Sequence, residues 1–322
     1  MLWKAHYGDI RSLALAPDMS SIISGDSDGY IVQWAWQSGA QRTVIRQPPS
    51  EAHREGIARI AFNSDGSKLA AMCVYEGQLE VYDSTTWRLQ CRVDNTERYA
   101  YEFYDFSWHP SGKYIAIAAH GIQLIDSQTG ERINTPIWGH ASATYCVAYT
   151  PDGTKLVSGG DEYDHSLALW DATTFDQLYK ISSTEDESEE VWLPAYILHI
   201  TDRDVVIHDG GVLRWTLGTQ MLSRPYYFSQ HSGLLSTAID QTGTLLAHEI
   251  INAEAEVPRW QPIPGDMAKV HGATVKVFNL ASGQIAHSFG GYQDRITALV
   301  FSPDSKQLFT GDGKGFIRIW DL

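Results

Sequence analysis

Short runs in which apolar and polar or small residues alternate recur along the chain, and each is closed by a turn signal. Leu13 and Leu15 alternate in this way before Pro17-Asp18. The form returns at Ile60-Ala61-Phe62 before Asn63-Ser64-Asp65-Gly66, at Phe106-Ser107-Trp108 before His109-Pro110-Ser111-Gly112, at Val147-Ala148-Tyr149 before Thr150-Pro151-Asp152-Gly153, and at Leu299-Val300-Phe301 before Ser302-Pro303-Asp304. Weaker copies end at Thr201-Asp202 and Gln241-Thr242-Gly243. Period-two alternation punctuated by Pro, Asp and Gly predicts β-strands joined by tight turns. A second landmark follows each turn, an alternating strand ending in a large apolar residue with, usually, a polar one after it. These are Gln33-Trp34, Tyr82-Asp83, Ile125-Asp126, Trp170-Asp171, Trp215-Thr216, Phe278-Asn279 and Trp320-Asp321, at successive spacings of 48, 43, 45, 45, 63 and 42. The 322 residues thus divide into seven units of about 46, with almost no helical periodicity.

Length alone leaves two architectures open. A single hydrophobic core rarely grows past about 250–300 residues, so a chain of this size needs two domains or a repeat, and the period favours the repeat. The pattern resembles the WD-repeat family, whose units fold as four-stranded blades of a β-propeller. The fourth copy carries the resemblance best, with Gly139-His140, Pro151-Asp152-Gly153, Ser158-Gly159, and Asp164 six residues before Trp170-Asp171. The family's buried set of His, Ser or Thr, Asp and Trp maps onto His140, Ser158, Asp164 and Trp170, and in the first copy onto His6, Ser24, Asp28 and Trp34. Elsewhere the pattern departs. The second copy has His53 but Tyr82, the third has Ile125, the fifth keeps Asp209 and Trp215 without the Pro-Asp-Gly turn, and the sixth has Phe278. In the seventh, Tyr292, Thr310, Lys314 and Trp320 set a basic residue where the acid is expected. The resemblance implies an all-β, seven-bladed β-propeller of four-stranded blades over residues 1–322 as one domain. Residues 1–5 are expected to supply the last blade's fourth strand and so close the ring.

Composition narrows the function. Lys plus Arg number 24 against 39 Asp plus Glu, for a net charge of -15, which argues against a general nucleic-acid surface. No apolar run reaches the roughly 18 residues of a membrane span. The N-terminus lacks a secretory pattern, and Cys73, Cys91 and Cys146 have no metal-like spacing; a cytoplasmic protein is expected. Gly25-Asp26-Ser27-Asp28-Gly29 has the letters of a nucleophile elbow, but it lies between two predicted strands where that motif needs a strand and a helix. The same stretch begins like a calcium loop, yet Gln37 stands where a bidentate Glu is required. Gly311, Gly313 and Gly315 lead into a strand, which makes a hairpin turn and no phosphate loop. The twelve histidines have no zinc-ligand spacing. No catalytic, cofactor or metal residue is therefore assigned.

Insertions in a repeat mark where recognition departs from scaffold. Residues 141–210 hold 3 basic and 14 acidic groups, including Glu185, Asp186, Glu187, Glu189 and Glu190 just before Trp192. The longest insertion, about residues 250–272, carries Arg259 and Trp260 among three prolines that stiffen it. A third irregularity sets Tyr99, Tyr101, Phe103 and Tyr104 before the third copy. The expected function is a non-catalytic scaffold or hetero-complex subunit that docks a protein or peptide, with a basic segment, on the propeller's top face. Neither nucleic acid nor membrane is an expected partner. The alternatives are a hydrolase- or lactonase-like enzyme using a central opening, and a sensor domain of a larger multidomain system.

Overall fold

The computed structural model describes residues 1–48, 56–73, 77–95, 103–133, 137–161, 163–164, 166–182, 196–208, 211–219, 222–227, 237–251 and 273–322. Among them there is no helix. Strand β1 (Leu2–Lys4) opens the chain. Sheet one is β2 (Ile10–Leu15), β3 (Ile22–Asp26), β4 (Ile31–Ala35) and β5 (Ala40–Arg46). Sheet two is β6 (Ile57–Phe62), β7 (Lys68–Cys73), β8 (Gln78–Asp83) and β9 (Leu89–Asp94). Sheet three is β10 (Asp105–Trp108), β11 (Tyr114–Ala118) and β12 (Ile122–Asp126). Sheet four is β13 (Thr144–Tyr149), β14 (Lys155–Gly160), β15 (Ser166–Asp171) and β16 (Gln177–Ser182). Sheet five is β17 (Tyr196–Ile200), β18 (Asp204–His208), β19 (Gly211–Thr216) and β20 (Leu222–Tyr227). Sheet six is β21 (Thr237–Ile239), β22 (Leu245–Ile251), β23 (Ala273–Asn279) and β24 (Ile285–Phe289). Sheet seven joins β25 (Ile296–Phe301), β26 (Gln307–Asp312) and β27 (Phe316–Asp321) to β1.

This succession of small antiparallel sheets is that of a seven-bladed β-propeller. In sheet three the described residues form three strands, and the isolated bridges Ile122↔Ile137 and Ile125↔Arg132 pair with β12 where the fourth strand is expected.

Burial explains why the strands read as they do. The second strand of a sheet is covered on both faces, so β3 is buried along its whole length and β14 and β26 nearly so, which calls for continuous apolar or small residues. The outermost strands β5, β9 and β24 are largely exposed and polar. The turns have their own chemistry. The first turn of a sheet is capped by an Asp whose Oδ1 accepts the N–H two residues on, as at Asp18 (2.9 Å), Asp65 (2.8 Å) and Asp152 (2.9 Å). In four of the seven copies the polar residue after the large apolar landmark does the same for the third turn: Asp83, Asp126, Asp171 and Asn279 accept from the N–H groups two and three residues ahead. In those copies the second landmark is a core residue followed by a turn cap.

The chain forms two compact units, residues 1–58 with 226–322 and residues 59–225. In the second unit, strand β15 splits its residues between two neighbours. Leu167 and Leu169 pack with Val205, Ile207, Leu213 and Trp215 of sheet five, whereas Ala168 and Trp170 pack with Ala116, Ala118, Ile122 and Leu124 of sheet three. In the first unit, Ile10, Val32 and Trp34 meet Phe309, Ile317 and Ile319 of sheet seven. Sheet seven turns Leu308 and Phe301 the other way, onto Val275 and Val277 of sheet six.

Buried polar side chains stitch neighbouring sheets within each unit. Asp105 accepts the Arg59 guanidinium from sheet two and the Val147 N–H of sheet four (3.1 Å). Burial pushes its carboxyl up, and the guanidinium beside it opposes that shift. In the other unit Glu249 accepts the Ile296 N–H at 2.7 Å.

Strand β1 runs antiparallel to β27 with Leu2↔Arg318, Trp3↔Ile317 and Lys4↔Phe316 in register. The Met1 ammonium donates to Ile319 O (3.0 Å), and Ile319 N–H donates back to Met1 O (2.9 Å). Removing residues 1–5 exposes the edge of β27 and is expected to lower the melting temperature by several degrees, read by circular dichroism; an unchanged melting curve contradicts this reading of the pairing.

Candidate functional site

The chemistry-bearing residues that the structure gathers lie in side-chain networks at one end of sheets four, one and seven. In sheet four, Trp170 on β15 donates its indole N–H to Ser158 Oγ on β14 (2.8 Å). Ser158 Oγ lies 2.7 Å from His140 Nε2, and His140 Nδ1 lies 2.6 Å from Asp164 Oδ2. A carboxylate can only accept, so His140 donates from Nδ1 and its Nε2 accepts the Ser158 hydroxyl proton. The network is one directed chain from indole to carboxylate, with every buried polar atom matched.

The charges agree with that direction. Burial holds His140 below the ordinary imidazole value despite the carboxylate beside it, which keeps the ring neutral. Burial alone would push Asp164 up, but hydrogen bonds from the Ser166 hydroxyl, the Ala141 N–H and His140 outweigh it and hold the carboxyl at about 2. Lys180 adds Nζ hydrogen bonds to Gly139 O (2.8 Å) and Asp164 Oδ1 (3.3 Å). Gly139 is required by close approach, since a Cβ there would lie 2.0 Å from the Trp170 ring.

Sheet one repeats the chain with a change of acid. Trp34 Nε1 donates to Ser24 Oγ (2.8 Å), which lies 2.5 Å from His6 Nε2. The carboxylate set against His6 Nδ1, at 2.7 Å, is Asp26. The sequence places Asp28 there by analogy with Asp164, and the structure corrects this. Ser24 and Trp34 are 10 residues apart where Ser158 and Trp170 are 12 apart, so the hairpin is shorter and the last residue of β3 reaches the imidazole. Asp28 sits in the turn with its N–H on Asp26 Oδ1 (3.0 Å).

Sheet seven does without an imidazole. Trp320 Nε1 donates to Tyr292 Oη (2.7 Å), whose hydroxyl meets Thr310 Oγ1 (3.0 Å). Lys314 does not take the acid's place. Asp312, at the end of β26 like Asp26 at the end of β3, accepts the Lys314 and Phe316 N–H groups (3.0 and 2.9 Å). The Arg318 guanidinium lies over the Tyr292 ring, 4.5 Å from its centroid.

The residues expected to touch a partner, Glu185, Asp186, Glu187, Glu189, Glu190, Trp192, Arg259 and Trp260, lie outside the described residues, as do His53 and Asp209. Sequence reasoning missed Asp105 and Glu249. Their signal was a charged residue directly between or beside large apolar or aromatic ones, as in Tyr104-Asp105-Phe106. It also missed two exposed rings, Trp138 and Tyr163, that flank the sheet-four network.

Ser158→Ala removes the atom on which both the buried indole and the imidazole depend, and is expected to cost about 1–3 kcal/mol in urea unfolding. Asp26→Ala is expected to cost more than Asp28→Ala in the same unfolding measurement, because Asp26 and not Asp28 meets the imidazole.

The family model described as "WD domain, G-beta repeat" matches residues 1–35, 130–171 and 283–321, the regions that carry the three networks. The WD repeat-containing protein SL1-17 of Schistosoma mansoni is 25% identical over 160 residues, covering 49% of this chain and 49% of that protein. The nuclear distribution protein PAC1 of Arthroderma otae is 24% identical over 329 residues, covering 99% of this chain and 60% of that protein. Striatin of Mus musculus is 21% identical over 326 residues, with 99% of this chain and 35% of that protein covered. The chain therefore matches between about a third and three fifths of these relatives' length. With the repeat signature in three regions and seven successive small antiparallel sheets, the chain is similar to WD-repeat proteins of the β-propeller class.

Proposed function

We propose that the chain is a non-catalytic interaction module, one domain over residues 1–322, that docks a protein or peptide segment and acts as a subunit of a larger assembly in the cytoplasm. The observation that carries this reading is the use made of the buried polar side chains. Imidazole, hydroxyl, carboxylate and indole are consumed in fixing loop geometry, so the sheets work as a rigid mount for the segments between them. The partner segment is basic. Residues 141–210 carry 14 of the 39 acidic groups and 3 of the 24 basic ones, a charge that steers a cationic chain and discriminates against an acidic one. Glu185, Asp186, Glu187, Glu189 and Glu190 supply the steering, and Trp192, Arg259 and Trp260 supply contact area. The kinship to the nuclear distribution protein and to striatin supports a WD-repeat interaction role and leaves the partner's identity to experiment.

The test replaces the five acids by Gln or Asn in one variant and Trp260 by Ala in another. Each is compared with the unaltered chain as bait in native lysate, with captured proteins quantified by mass spectrometry. Loss of a shared set of basic partners from either variant is expected; retention of the full set by both contradicts the proposal.

A further inference from the structure

We infer that Trp138 and Tyr163 form a preset aromatic clamp for an arginine-bearing segment of the partner at the network end of sheet four. This rests on the interaction reading above and gives it a binding residue pair among the described residues.

The first observation is exposure against the trend of the fold. Most large rings among the described residues are buried or half-buried, yet Trp138 is 64% and Tyr163 78% exposed. The second is that both rings stand on backbone held from each side. Ile137 exchanges two backbone hydrogen bonds with Ile122 (3.1 and 2.9 Å), and His140 is fixed by Ser158 and Asp164. Trp138 therefore sits between two fixed points only three residues apart. Tyr163 is held likewise: Asp161 Oδ1 accepts its N–H (3.0 Å) and that of Asp164 (3.1 Å).

The two loops are joined to one another. Asp164 takes His140 on one oxygen and the Ala141 N–H (2.7 Å) on the other, so rings two residues from His140 and one residue from Asp164 project from adjoining backbone. A ring displayed on fixed backbone gains nothing for the free fold, but its backbone has already lost the freedom that binding would otherwise take from it.

Charge decides the occupant. The network leaves Asp164 ionised, and the stretch of sequence from 141 to 210 that includes it holds 14 acidic groups against 3 basic ones. Lys180 offsets one of these charges. A planar guanidinium satisfies both features, stacking on indole or phenol faces while its charge is drawn by the carboxylates. Tyr7, 98% exposed beside His6 in the other unit, has only the half-buried Tyr30 on the adjoining hairpin and no second exposed ring there, and it serves as the control.

The test uses the full chain and a fluorescein-labelled peptide of four Gly-Arg repeats, read by fluorescence anisotropy at about 150 mM salt, where long-range attraction is screened beyond ~8 Å. Trp138→Ala and Tyr163→Ala are each expected to weaken binding about tenfold or more, with Tyr7→Ala unchanged and all three melting like the parent. If both ring variants bind as the parent does while neutralising the five acids at 185–190 abolishes binding, the clamp is wrong and the interaction reading stands. If the parent does not bind the peptide, the clamp and the basic partner fall together.

Discussion

A four-stranded sheet with two apolar faces cannot bury itself, and the architecture of this chain follows from that constraint. Strand β15 is the clearest case, because its alternate residues commit to different neighbours: Leu167 and Leu169 to sheet five, Ala168 and Trp170 to sheet three. Each sheet is stable only as part of a series, so stability is distributed over interfaces between adjacent repeats. The strand covered on both faces must be continuously apolar or small, whereas the outermost strand is free to be polar.

Dense burial forces a polar accounting. Backbone groups find partners in the strand ladders and turn caps, and the buried side-chain donors and acceptors around the indoles of sheets one, four and seven are arranged in directed chains. The three indoles of sheets one, four and seven each donate to a hydroxyl. What that hydroxyl does next varies: it meets an imidazole backed by a carboxylate in two sheets, and a threonine in the third. The geometry of the loops is thereby separated from the sequence of the loops, which leaves exposed positions such as Trp138 and Tyr163 free to be chosen for a partner.

The repeat was legible because its signals are local. Alternation, Pro-Asp-Gly turns and a large residue before a turn cap recur at a nearly constant period, and all seven sheets appear where that period puts them. The failures lie where a side chain is chosen by three-dimensional reach. Asp26 and Asp28 are both plausible acids beside a histidine, and only the two-residue difference in hairpin length decides between them. Lys314 reads as a broken motif until Tyr292 is seen to bond the indole directly and Asp312 to cap the turn. Asp105 serves residues 46 positions before it and 42 after it, a relation that no short pattern encodes.

The central claim is that the buried chain from Trp170 to Asp164 holds the loops that carry the exposed rings. Native-state amide hydrogen exchange on the parent and on a Ser158→Thr variant, which keeps the hydroxyl but crowds a fully buried site, tests it directly. The account predicts faster exchange at Ala141, Tyr163 and Asp164 with the amides of sheets one and seven unchanged. Equal protection at those three amides in both proteins, or a loss spread evenly over all the sheets, would contradict it.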